Sequence, residues 1–132
     1  MTMKLIRIGL RTLFLMAATA VYADLAVKVD EPKRVGQKAV IKLTMKNTFK
    51  EKVESARAQV FLIDDNGKVV GQAVRWVIGG TKENLALAPN TETTFNFIVQ
   101  TDKPFTTNRV SFTRVILEGG KLVDVNKTVE IK

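Results

Sequence analysis

Residues Ala56 to Ile78 confine the chain more than any other stretch. The apolar and β-branched run Ala56-Arg57-Ala58-Gln59-Val60-Phe61-Leu62-Ile63 meets Asp64-Asp65-Asn66-Gly67-Lys68, and a second such run, Val69 to Ile78, follows. Asn-Gly between two runs of this kind predicts a β-hairpin, with Gly67 supplying a positive φ that carries no Cβ penalty. Two loop lengths fit the turn. A two-residue loop at Asn66-Gly67 pairs Leu62 with Gly71, Val60 with Ala73 and Ala58 with Arg75. A three-residue loop, Asp65-Asn66-Gly67, pairs Asp64 with Lys68, Leu62 with Val70, Ala58 with Val74 and Ala56 with Trp76. The second gathers Ala56, Ala58, Val60 and Leu62 on one face with Val70, Val74, Trp76 and Ile78, leaving Gln72 as the one misfit. It is the expected register, because a slip of one residue turns a whole apolar set toward water.

The opposite face then carries Arg57, Gln59, Phe61 and Ile63 beside Val69, Gly71, Ala73 and Arg75. In this register Arg57 and Arg75 stand opposite each other, and like charges in that position destabilise a strand pair. An anionic group from a partner relieves the repulsion. Arg57, Phe61 and Arg75 are therefore the candidate partner-binding residues. The plainer alternative is two long side chains splaying into water over an apolar patch. Trp76, the only tryptophan, is expected as a core anchor over Ala56 rather than as a stacking platform for a ligand.

The remaining chain continues the same period. Leu25, Val27 and Val29 alternate with polar or small residues, and Pro32 ends that strand. Ala39, Ile41, Leu43 and Met45 alternate with Val40, Lys42, Thr44 and Lys46, one face dry and the other wet. Asn47 to Lys52 is a polar connection, with Phe49 either exposed or staking it down. Leu85 and Leu87 begin a short strand that Pro89-Asn90 stops. Phe95, Phe97 and Val99 alternate in the next. Val110 to Leu117 is followed by a second glycine turn, Glu118-Gly119-Gly120-Lys121, and residues 122–131 form the last strand. About eight short strands at roughly 8–12-residue spacing, with no sustained helical period, predict an all-β, immunoglobulin-like antiparallel sandwich.

The first 23 residues read differently. Lys4, Arg7 and Arg11 precede an apolar run, Thr12 to Ala20, and Val21-Tyr22-Ala23 places small residues where a signal peptidase reads them. Residues 1–23 are expected to be a secretory signal peptide and residues 24–132 a single domain, located in the periplasm or secreted from a bacterial envelope. An uncleaved anchor is the alternative, but the apolar run is shorter than the ~20 residues that span a bilayer; cleavage is expected, and with no Cys after the run no membrane anchor is expected to remain. Losing three cations takes the formal net charge from +8 to +5.

The 132 residues include no Cys and no His. Disulfides, thiol nucleophiles, the usual zinc ligands and the commonest general base are all absent. A Ser-His-Asp triad is impossible. The carboxylates fall mostly at turns, such as Asp30-Glu31 and Asp64-Asp65, where local hydrogen bonding selects them. Asp64 to Gly67 resembles the start of a calcium loop, but Lys68-Val69-Val70 follows where oxygen ligands are required. The chain is read as no enzyme, with no cofactor and no metal. Few aromatics and no basic cluster argue against nucleic acid.

Val60-Phe61-Leu62-Ile63-Asp64-Asp65-Asn66-Gly67 resembles the central motif of the FxLYD-type bacterial domains, with Leu62, Asp64 and Gly67 matching, Val60 in place of the Phe and Ile63 in place of the Tyr. Leu87-Ala88-Pro89 followed by Phe95 resembles a later edge of that family. The resemblance implies an immunoglobulin-like sandwich on an exported protein and brings no catalytic residue. The expected function is a non-catalytic binding module of the envelope, its partner another envelope protein or an anionic surface. Two alternatives stand beside it. One is a chaperone or assembly subunit for strand-like clients, in which the lysine-studded strand Ala39–Lys46 is a protected sheet edge. The other is a small-molecule carrier using space left by Ala56, Ala58, Gly71 and Ala73.

Overall fold

A computed structural model describes residues 24–132. The signal peptide expected over residues 1–23 lies outside the described residues. Alternation of buried and more exposed side chains, clearest along Lys38–Asn47 and Val53–Ile63, builds two sheets that face each other, as the period of two requires.

The first sheet contains β1 (Leu25–Val29), β2 (Lys33–Val35), β3 (Lys38–Asn47), β6 (Glu92–Gln100) and β9 (Val129–Ile131). The second contains β4 (Val53–Ile63), β5 (Val69–Ile78), β7 (Thr107–Leu117) and β8 (Lys121–Leu122), in the order β5-β4-β7-β8. The immunoglobulin-like all-β sandwich predicted from strand spacing is thus the observed architecture, with nine strands among the described residues. Extra strands arise because β2 and β8 are short pieces and because the last predicted strand is divided. Asp24 closes one end of β1 through Thr48, whose hydroxyl meets the Asp24 backbone. A single helical turn, α1 (Val125–Thr128), interrupts residues 122–131, and Asp124 caps it by accepting from the Asn126 amide. α1 carries the chain from one sheet to the other, so β9 meets β1 in parallel rather than antiparallel fashion. Leu87 makes only an isolated bridge with Val53 and no strand.

β3 is central in its sheet. It pairs with β1 through Leu43–Asn47 and with β2 through Lys38–Val40 on one flank, and with β6 along the other. The reading of Ala39–Lys46 as an edge strand is therefore corrected. Its lysines mark the wet face of a central strand, while Ala39, Ile41, Leu43 and Met45 are fully buried. Opposite them lie Ala56, Ala58, Val60 and Leu62 of β4, also fully buried. Each large apolar side chain so placed contributes roughly 1.5–3 kcal/mol.

The hairpin turn has the predicted three-residue loop. The Asp64 amide donates to Lys68 O at 2.9 Å and the Gly67 amide to Asp64 O at 3.0 Å, with Gly67 at φ 79°. The Asp64 carboxylate accepts from the amides of Asn66 and Lys68, so its oxygen serves the turn. The register beyond the turn departs from expectation. Ile63 pairs with Val69, but Leu62 pairs with Gly71, and Val70 is the extra residue of a bulge. A second bulge at Val77 separates the Arg57–Trp76 pair from the Ala56–Ile78 pair. Gln72, the misfit of the unbulged register, faces outward opposite Phe61. A bulge inserts one residue and so exchanges the two faces of the strand beyond it.

The end of β3 is held by a buried polar residue. Asn47 is fully buried. Its Nδ2 donates to Glu51 O and Leu87 O, each at 2.9 Å, and its Oδ1 accepts from the Phe49 amide at 2.8 Å. Phe49 is buried and stakes the connection down, the second of the two options the sequence left open.

Candidate functional site

The bulges in β5 redistribute the predicted site. Arg57 faces outward from the sandwich and pairs with Trp76 on one side and Arg114 on the other. Its guanidinium carbon lies 5.6 Å from the centre of the Trp76 ring, and its Nε donates to Thr113 Oγ1 at 3.1 Å. Phe61 shares that outer face, between Gln72 and Arg109. Arg75 does not. It pairs with Ala58, whose side chain is fully buried, and so sits on the inward parity at the exposed edge of the sheet. Its Nη1 donates to the neighbouring Val74 O. The predicted opposition of Arg57 and Arg75 is therefore corrected: the Val70 bulge separates them.

Trp76 is likewise not the core anchor expected. It lies half-buried on the outer face. Gly80, at φ 75°, runs so close beneath the indole that a Cβ there would collide with the ring carbons of Trp76. Asn84 Nδ2 donates to Trp76 O at 2.8 Å and fixes the Gly79–Asn84 loop around it. Gly80 on one side and Arg57 on the other hold the ring in place.

The outer face of the second sheet thus brings together Arg57, Phe61, Trp76, Arg109 and Arg114, with Val74 41% exposed among them. Arg109 and Arg114 were not singled out from the sequence. A signal existed: Ser55–Ile63, Val69–Ile78 and Thr107–Leu117 hold four arginines and no acidic residue. Among the described residues the salt bridges are Lys121–Glu51 and Lys132–Glu130, neither involving an arginine. Arg34 behaves differently. It donates to the carbonyls of Gly36, Thr101 and Lys103 and lies 5.2 Å from the Phe105 ring centre, so its donors are spent on the fold.

The space proposed for a small-molecule carrier is filled. A Cβ at Gly71 would meet Leu62, Val99 and Thr101 at 3.1–3.3 Å. Thr101 Oγ1 donates to Val70 O at 2.9 Å and closes this end of the seam between β5 and β6. A cleft of about 360 Å³ opens further along, against Val77, Leu85, Leu87, Glu92 and Phe95. Among the described residues no three His, Cys, Asp or Glu side chains come together in a metal-binding group.

No family model matches the chain, and no curated relative does. Solved structures do resemble it. A Bordetella pertussis protein described as ApaA superposes with a TM-score of 0.53 at 20% identity, covering 76% of this chain and 85% of its own. IrmA from Escherichia coli superposes with a TM-score of 0.52 at 9% identity, covering 83% and 92%. At these identities the likeness is one of fold.

Proposed function

We propose that this chain is an exported, non-catalytic binding module, and that it engages an acidic partner through the outer face of its second sheet. The observation that carries this reading is the set of outward arginines, Arg57, Arg109 and Arg114, interleaved with Phe61 and Trp76, with no acidic residue in Ser55–Ile63, Val69–Ile78 or Thr107–Leu117; Glu54, at the start of β4, accepts from the Gly119 amide. Guanidinium groups bind carboxylates and phosphates through paired donors, and aromatic and apolar neighbours lower the local dielectric around such a contact. The leader-like residues 1–23 support export, and the Leu62, Asp64 and Gly67 matches support kinship with FxLYD-type domains.

The first sheet offers the competing basic surface. Its outer face carries Lys28, Lys42 and Lys46 around Thr44 and Asn96, with Glu92 opposite Lys46. Isolated lysines beside hydroxyl and amide groups make a solvated face, so the second sheet is preferred.

Retention on a poly-glutamate resin tests the choice. Arg57→Ala, Arg109→Ala and Arg114→Ala are each expected to elute at lower salt than the parent domain, while Lys42→Ala elutes with it. Equal losses in all four variants would reduce the interaction to net charge and end the proposal.

A further inference from the structure

Resting on that reading, the flank of β7 turned away from β4 narrows the kind of partner. β7 is eleven residues long, and β8 pairs with it only at Ile116 and Leu117. One more bond, from the Val123 amide to Val115 O at 3.2 Å, extends that contact before the chain leaves through α1, which also touches β7. From Asn108 to Thr113 no strand among the described residues pairs with this flank. The register of β7 against β4 is unbroken from Thr107 to Phe112, so its backbone donors and acceptors stand in a regular row.

The other margins of the sandwich lack either such a row or arginines beside it. β5 is interrupted by two bulges. β2, β8 and β9 span three, two and three residues. β6 keeps an unbroken nine-residue register against β3 and its other flank is also unpaired among the described residues, but Glu92–Gln100 carries an acid and no arginine, so it does not suit an acidic segment.

We propose that Asn108–Thr113 accepts an extended segment of a partner as an additional strand, with acidic side chains directed outward and apolar side chains directed inward. Main-chain pairing gives such an addition its affinity, and alternate side chains give it specificity. On β7 the outward residues are Arg109 and Ser111, followed by Arg114 beyond the bulge. Val110 and Phe112 face the sandwich interior, opposite Val60 and Ala58, and Val110 is only half-buried. An incoming strand sets its outward residues beside the arginines and its inward residues beside Val110 and Phe112. A second copy of this chain is the wrong occupant. Antiparallel pairing of two β7 flanks gathers two Arg109 and two Arg114 on one face, and like charges across a strand pair repel.

The test uses a nine-residue peptide alternating Glu with Val, measured by calorimetry against the folded domain. Binding is expected, about tenfold weaker for Arg109→Ala and undetectable for the Lys-Val analogue. Two N-methylated versions then separate pairing from simple charge attraction. Methylating alternate amides of one parity abolishes binding, while methylating the other parity leaves it intact, because only alternate N–H groups point at the edge. Equal tolerance of both methylated peptides overturns strand addition while leaving the arginine face standing. Failure of the unmodified peptide, with poly-glutamate retention preserved, overturns the inference alone. Failure of both probes overturns it together with the reading beneath it.

Discussion

Replacing Asn47 by Ala removes a tie between three segments, and its cost follows from the bonds it makes. Two donated bonds, to Glu51 O and Leu87 O, are lost, together with the bond accepted from the Phe49 amide. Leu87 O keeps the amide of Val53 at 2.9 Å, so that carbonyl is not orphaned. The Phe49 N–H is left in a buried position without its side-chain acceptor. Net loss of a hydrogen bond costs about 1 kcal/mol, and an orphaned buried donor about 1–3 kcal/mol. The sum is about 3–5 kcal/mol. Urea unfolding of residues 24–132, followed by Trp76 fluorescence and by circular dichroism, measures it. With a slope of about 1.5 kcal/mol/M, the midpoint falls by about 2–3 M. Asn47→Asp is expected to do no better, since a carboxylate oxygen then faces two carbonyl oxygens. Asn126→Ala, at an exposed position of α1, changes stability by less than about 0.5 kcal/mol. A loss below about 1 kcal/mol in Asn47→Ala refutes the reasoning, because it means that water or the loop itself takes over the bonds.

Gly71→Leu overfills the seam where Leu62, Val99 and Thr101 already stand within 3.3 Å of the missing Cβ; thermal unfolding is expected to show a loss of about 1–3 kcal/mol. Arg34→Ala lowers stability by about 1–3 kcal/mol in the same assay, because its carbonyl contacts with Thr101 and Lys103 and its stacking on Phe105 all go. Arg109→Ala, by contrast, leaves stability within about 0.5 kcal/mol, since it makes no side-chain bond among the described residues.

Much of the fold was legible because strand periodicity reports directly on burial. The dry face of β3, the inward face of β4, the Gly67 turn and the glycine turn after Leu117 follow from residues read in order. What was not legible required tertiary partners. Asn47 looks like any polar residue opening a loop, and only the approach of Leu87 makes it a buried tie. The short α1 depends on one cap, Asp124, in a stretch whose Val123, Val125 and Val129 otherwise read as strand. The edge or centre of β3 could not be read from its own alternation, which is the same in either position. At the site, Arg57 and Phe61 were placed on the right face because β4 is regular around them. Arg75 was not, because a bulge leaves little mark in composition. Gln72 was that mark: a polar residue at an apolar parity is what an inserted residue upstream produces.

The two bulges connect the protection of the sheet to its proposed binding surface. β5 is a long edge strand rich in valine, the type of edge that recruits other chains. Val70 and Val77 break its register twice, so its free side presents no continuous row for pairing. The same shift turns Trp76 outward beside Arg57 and moves Arg75 away from it. One device therefore closes the β5 margin and assembles the cationic, aromatic face. The opposite margin, β7, keeps its regular flank, and there the protection is charge: Arg109 and Arg114 repel another copy of this surface. A charged guard of that kind excludes like charge while leaving the backbone row open to a strand that brings acids. On the proposed reading, selectivity at this edge lies in the side chains of the incoming segment, and the arginines that repel a second copy are the ones that would recognise the partner.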